Sequence, residues 1–332
     1  MINIVTVENK NLEKEFVQFP FKLYKNCEYW VPPIISEELE AMDKTKNPVF
    51  QNAEAEFYLA YKDGKVVGRI AAIVNWVEIE EQKKNKLRFG WYDTIDDVEV
   101  SKKLIEKVIE FGKKRKLDFI DGPVGFSNMD KAGLLTHGYE ELNTMITWYH
   151  FPYQKKHLTD IGFKKLAEWV EYKIQIYSEK DAPEKVKKFA KIIQKRYDLK
   201  VINFKSTKEI IPYVDKMFEL LNVTYSNLQT YVTIKQYQID FYKEKFIKYI
   251  HPDFIKCLSD KEGNLIAFLI TMPSFSRALK NINGKLGLLG YFHLLKAQYF
   301  NDKVSLYLIG VDPKYQNKDA TAVIFNELQQ TF

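Results

Sequence analysis

Two stretches of this chain share one layout, and that repetition restricts the fold more than any other feature. AEFYLAYKDGKVVGRIAAIVN (55–75) sets two apolar runs on either side of Asp63-Gly64. DFIKCLSDKEGNLIAFLITMP (253–273) does the same around Glu262-Gly263. An acidic residue followed by glycine, between two β-prone runs, marks a tight hairpin, because glycine takes φ > 0 without steric penalty. Superimposing Gly64 on Gly263 also places Val66, Val67 and Gly68 on Leu265, Ile266 and Ala267.

The surroundings of the hairpins repeat as well. The first half predicts a strand over 3–7, a helix over 11–24 and a short helix over 37–43 capped by Ser36. After the hairpin come a strand at 86–92 and a helix at 98–114, with apolar residues at 100, 104, 105, 108 and 111, the spacing of an amphipathic helix. A strand at 118–121 then ends at Gly122-Pro123. The second half predicts helices at 183–197, 208–222 and 233–249 before its hairpin. An inserted apolar segment (286–300), a strand at 303–311 and a helix from about Asp319 follow. The order helix, hairpin, strand, helix thus occurs twice and predicts two similar α/β domains. Strand-like EYKIQIY (171–177) gives way to polar SEKDAPEK, so the expected domains are 1–175 and 176–332.

Composition narrows the function classes. Of 332 residues, 46% are hydrophobic and 28% charged, an ordinary globular balance. The net charge of +6 is spread along the chain, and the densest basic run, KKRK at 113–116, closes a helix whose dipole it complements. Without a basic face bearing aromatic platforms, nucleic acid is not an expected partner. Cys27 and Cys257 have no metal-ligand spacing, so neither a disulfide framework nor a metal is expected. No apolar run nears the roughly 18–20 residues that span a bilayer, so no membrane partner and a cytoplasmic location are expected.

The stretch GVDPKYQNKDATAVIFNEL (310–328) resembles the cofactor loop of the Gcn5-related N-acetyltransferases (GNAT). In that family a strand runs into a loop of consensus [Gln/Arg]-x-x-Gly-x-[Gly/Ala], and a helix follows. Val311, Pro313 and Tyr315 match the approach, and Gln316 matches the first loop position. Asp319 stands where the family has glycine, and Thr321 where it has a small residue. FPFKLYKNCEYWVPP (19–33), FGWYDTIDD (89–97) and DGPVGFSNMDKAGLLTHGYE (121–140) extend the likeness over most of the chain, to a YghO-like bacterial family of tandem acetyltransferase-like proteins without an assigned substrate. The resemblance implies two tandem GNAT-like domains of class α/β (α+β), each a mixed, mostly antiparallel sheet flanked by helices.

It also implies acetyl-CoA as acyl donor. The pantetheine arm would pair with the backbone of Ile309, Gly310 and Val311, and the pyrophosphate would sit on Gln316, Asn317, Lys318, Asp319, Ala320 and Thr321. Helix N-termini and successive amides suit anions. Asp319 opposes this, since a carboxylate repels phosphate; the alternative role for Asp319 is the cap of the helix. The loop is therefore a working site, a decayed one or an ordinary turn. Its first-half counterpart, with Asp93, Asp96 and Asp97, reads as a helix start without cofactor.

Candidate acids are Tyr307 and Tyr315, by proximity to the cofactor strand. Ser127, Asn128 and Asp130 follow a strand in a loop of small polar residues, where ligands collect, and are candidate substrate contacts alongside a structural reading of the same loop. The expected activity is acyl transfer from acyl-CoA to a small-molecule or protein amine. A non-catalytic binding module and a Fem-like aminoacyl transferase are the rivals. The resembled fold has a further strand after the last helix, so the sequence is expected to be incomplete, with Val323, Ile324 and Leu328 short of packing partners.

Overall fold

The structure, a computed structural model, describes residues 1–176, 183–246 and 250–331. The chain divides into two compact units: 1–168 with 274–301, and 169–273 with 302–332.

Unit 1 is built on a five-stranded sheet in the order β1-β2-β3-β4-β5. Its strands are β1 (Ile2–Thr6), β2 (Ala53–Lys62), β3 (Lys65–Asn75), β4 (Lys86–Thr94) and β5 (Phe119–Asp121), and all pairs are antiparallel except β4–β5. Asp63 (φ 51°) and Gly64 (φ 73°) both turn left-handed, as a two-residue hairpin loop requires. Helix α1 (Lys10–Leu23) starts where the Asn9 side chain accepts from the amides of Asn11 and Leu12. Helix α2 (Ile35–Met42) starts two residues early, and Ser36 lies inside it rather than capping it.

Helix α3 (Val98–Lys114) buries the expected stripe: Val100, Leu104, Ile105, Val108 and Phe111 pack on Ile70, Ala72, Val74, Leu87 and Phe89. Alternate residues of β3, Ala71 and Ile73, join Phe16, Phe57, Leu59 and Trp91 in a core on the other face. Helix α4 (Pro152–Ile161), which the sequence reading did not anticipate, packs on α3.

Unit 1 also buries two ionic clusters. Arg88 grips both oxygens of Glu78 (2.6 and 2.7 Å), while Lys86 lies 3.0 Å from Glu78 and 2.9 Å from Asp121. Arg69 and Asp93 pair at 2.8 Å, and Tyr24 donates to Asp93 at 2.7 Å.

Unit 2 has a four-stranded sheet in the order β6-β7-β8-β9. The strands are β6 (Lys200–Ile202), β7 (Ile255–Ser259), β8 (Leu265–Pro273) and β9 (Val304–Val311), all antiparallel. Helices α5 (Glu184–Arg196), α6 (Thr207–Tyr225) and α7 (Gln236–Phe246) precede the hairpin. Residues 247–249 of the expected third helix lie outside the described residues. Helices α8 (Ser276–Ile282) and α9 (Leu288–Tyr299) come between β8 and β9 in sequence but belong to unit 1. After β9 come α10 (Pro313–Gln316) and α11 (Ala320–Thr331).

Two expectations are corrected. EYKIQI (171–176) forms no strand; Tyr172 and Ile174 are exposed without a sheet partner among the described residues, and Tyr177 lies outside them. Val323, Ile324 and Leu328 are not short of partners. They are buried against Ile193, Leu258, Ile266 and Leu269, because α5 and the face of β7–β8 cover them.

Candidate functional site

The connection from β9 to α11 is compact. Asp312 accepts from the amide of Lys314 at 2.8 Å and starts α10, whose Pro313 sits where a helix needs no amide. Gln316, its last residue, sends Nε2 back to the carbonyl of Val311 at 3.1 Å. Asn317 and Lys318 continue the turn, and the Lys318 ammonium lies 4.3 Å from the Tyr315 ring centroid, a cation–π contact. Asp319 then takes φ 54°, and α11 begins at Ala320.

That dihedral bears on the capping role weighed for Asp319. An N-cap residue is extended; Asp319 is left-handed, the conformation glycine adopts freely. Aspartate is one of the few other residues that enters this region at modest cost, because its short side chain bonds locally. In the first turn of α11 the Ala322 amide donates back to the Asp319 carbonyl at 2.9 Å.

β9 is an edge strand of the described sheet. Two carbonyls expected to meet a pantetheine arm are met instead by α6: Tyr225 donates to Ile309 at 3.1 Å, and Thr224 to Val311 at 3.4 Å. Burial raises the Tyr225 hydroxyl above its ordinary pKa, and the bond to Ile309 partly offsets this. Tyr315 is also raised, by burial first and then by Asp260, Asp312 and Glu262. Those carboxylates, with Tyr197, Lys314 and Tyr315, line a depression of about 410 Å³ beside the loop. Lys261 also lines it, so its three acids face two lysines.

The matching place in unit 1 is filled. Beyond its short pairing with β5, β4 gives the Thr94 carbonyl to Tyr153 (2.7 Å) and that of Tyr92 to Gln154 (3.4 Å). Asp93 is buried with Arg69, Asp97 caps α3 through the amide of Glu99, and Asp96 meets His157 at 3.1 Å. The nearby cavity bounded by Tyr24, Glu38, Arg69, Asp93 and Trp148 is about 20 Å³, room for one water.

No family model matches the chain. It is 26% identical over 321 residues to Protein YghO of Escherichia coli, covering 94% of this chain and 79% of that protein. It is 22% identical over 325 residues to the bacterial ceramide synthase of Caulobacter vibrioides, covering 95% and 82%. Among solved structures it superimposes on the GCN5-related glucosamine N-acetyltransferase region of a fungal multi-domain GH3 β-N-acetylglucosaminidase with a TM-score of 0.51, at 10% identity over 99% of this chain and 34% of that one. The fold is GNAT-like.

Within that GNAT-like fold, Ile309, Gly310 and Val311 end β9, Gln316 ends α10, Asn317 to Asp319 form the turn, and Ala320 and Thr321 open α11, so these candidates lie in one continuous connection. Tyr307 lies in β9 and Tyr315 in α10. Ser127, Asn128 and Asp130 belong to unit 1. There the Asp130 carboxylate accepts from the Ser127 amide at 2.8 Å and its hydroxyl at 3.2 Å, so these two groups fasten the loop. Asn128 is half-buried beside them. Tyr225 went unnoticed in the sequence, since nothing local marks a helix-end tyrosine as the neighbour of a strand 84 residues away. The described residues hold no cluster of metal-ligating side chains, and no described helix is long and apolar enough to cross a membrane.

Proposed function

We propose that the chain is an acyl-CoA-dependent N-acyltransferase whose donor site is the β9–α11 connection of unit 2. The observation that carries this reading is the left-handed Asp319, which gives the loop a glycine-type path into a helix N-terminus. In the proposed reaction the acceptor nitrogen attacks the thioester carbonyl. A C–N bond forms, the C–S bond breaks, the amine loses a proton and the thiolate gains one. Tyr225 joins Tyr307 and Tyr315 as a candidate donor of that proton, because its hydroxyl already touches the cofactor strand. For the arm to pair with Ile309 and Val311, the hydroxyls of Thr224 and Tyr225 must give way.

The acceptor is an amine. One relative is named a ceramide synthase, and ceramide is an N-acylated amino lipid, so that name favours a lipid amine. A second reading, a binding module without transfer, is favoured by the occupied carbonyls of β9.

Calorimetric titration with acetyl-CoA tests the proposal. Binding that Gln316→Ala weakens supports it. No binding at millimolar ligand sinks the donor site, and binding indifferent to Gln316 sinks this choice of loop.

A further inference from the structure

The inserted hairpin α8–α9 has one anchored helix and one displayed helix. Helix α8 buries Ala278, Leu279 and Ile282, and Lys280 donates to the carbonyl of Glu28. At the bend the Gly284 carbonyl accepts from the Ile35 amide at 3.0 Å. Helix α9 buries only Gly290. Leu288, Phe292, Leu295 and Tyr299 stand at i, i+4, i+7 and i+11, one stripe of a helix. Their exposures are 92, 64, 52 and 65%, and Leu289 and Phe300 widen the patch at 79 and 80%. A contiguous apolar face of this kind marks an interaction surface.

Charge selects the partner. Ser274–Asn301 contains Arg277, Lys280, Lys285 and Lys296 and no Asp or Glu. Arg277 on α8, Lys285 just before α9 and Lys296 within α9 are all exposed. Two copies meeting through this face would bring like charges together. An anionic lipid surface would receive both the apolar stripe and its basic border. At 12 residues α9 is about 18 Å long, too short for a hydrocarbon core of about 30 Å, so it would lie along the interface. Tyr291, off the stripe, and Tyr299, at its C-terminal end, carry polar-tipped rings, as interfacial segments do.

We propose that α9 docks the protein on anionic bilayers, with its Leu288–Tyr299 stripe in the acyl boundary and Arg277, Lys285 and Lys296 among the headgroups. This goes beyond the donor site, and its test measures no acyl transfer. The full chain is pelleted with vesicles of phosphatidylglycerol and phosphatidylcholine, and with phosphatidylcholine alone, at low and high salt. Preferential pelleting with the anionic vesicles, weakened by salt, is expected. The double variant Leu288→Glu/Phe292→Glu should lower that partition by about tenfold or more while melting like the parent, because both side chains are exposed. Equal partition onto neutral vesicles, no partition onto anionic ones, or an unaffected variant would overturn the proposal. So would a dimer of the parent chain, seen by gel filtration, that the double variant dissolves.

Discussion

Gln316 reaches back five residues to place Nε2 3.1 Å from the carbonyl oxygen of Val311. The bond ties the turn to the end of β9, so the turn's amides keep a fixed direction. Replacing Gln316 with alanine removes one hydrogen bond, worth about 0.5–1.5 kcal/mol. Acetyl-CoA should bind about 3–10-fold more weakly to Gln316→Ala, with a melting temperature lower by roughly 2–5 °C.

Asp319→Gly separates backbone from charge. Glycine relieves the left-handed conformation, but its looser unfolded chain offsets that gain, so urea denaturation should shift by less than about 1 kcal/mol. Removing a carboxylate beside phosphate should tighten acetyl-CoA binding by about tenfold, given roughly 1–4 kcal/mol of repulsion at close range. Weaker binding in the glycine variant would contradict the proposed donor loop.

Arg69 and Asp93 form a buried pair that supports unit 1. Asp93→Ala leaves a guanidinium without its partner carboxylate and should cost about 3–5 kcal/mol. The double variant Arg69→Met/Asp93→Leu should recover most of that loss. A double-mutant cycle on urea unfolding measures the difference.

His150 is buried, and burial pushes its imidazole down to about 4. An unfolded histidine titrates near 6.5. Between these values the unfolded chain binds a proton that the folded chain refuses, so stability falls as pH drops from about 6.5 to 4, by up to roughly 3 kcal/mol. Above pH 7 the group has no effect. Unfolding measured from pH 7.5 to 4.5 should show this slope, and His150→Gln should flatten it.

Gly284 has φ 78°, and a Cβ there would lie 2.5 Å from the Phe21 ring. Gly284→Ala meets both an unfavourable dihedral and a clash, and should destabilise unit 1 by about 2 kcal/mol or more. Hydrogen exchange should quicken through α8 and α9.

Much of the fold was legible because its signals are local. The bounds of α3 follow from Asp97 as cap and a 3.6-residue apolar stripe, and each hairpin is announced by an acid–glycine turn. The apolar segment at 286–300 was visible, but not that it forms an exposed helix, since periodicity does not say which side is covered. EYKIQI alternates as a strand does, yet alternation supplies no partner edge. The proposed donor loop was legible as a motif. The hydroxyls of Thr224 and Tyr225 on its strand were not, because only tertiary packing brings α6 there. Asp319 looked like an obstacle by side chain, and its dihedral is what sequence could not reveal.

Because Ser274–Asn301 belongs to unit 1 while the segments before and after it belong to unit 2, neither unit is one continuous stretch. A chain made from its N-terminus must wait, with the first sheet already emerged, for a piece that leaves the ribosome more than a hundred residues later. Until then the surface that receives Gly284 and α8 stays uncovered. Cutting the gene after residue 168 would separate unit 1 from its own last helices, so the two units are bound together in their biosynthesis.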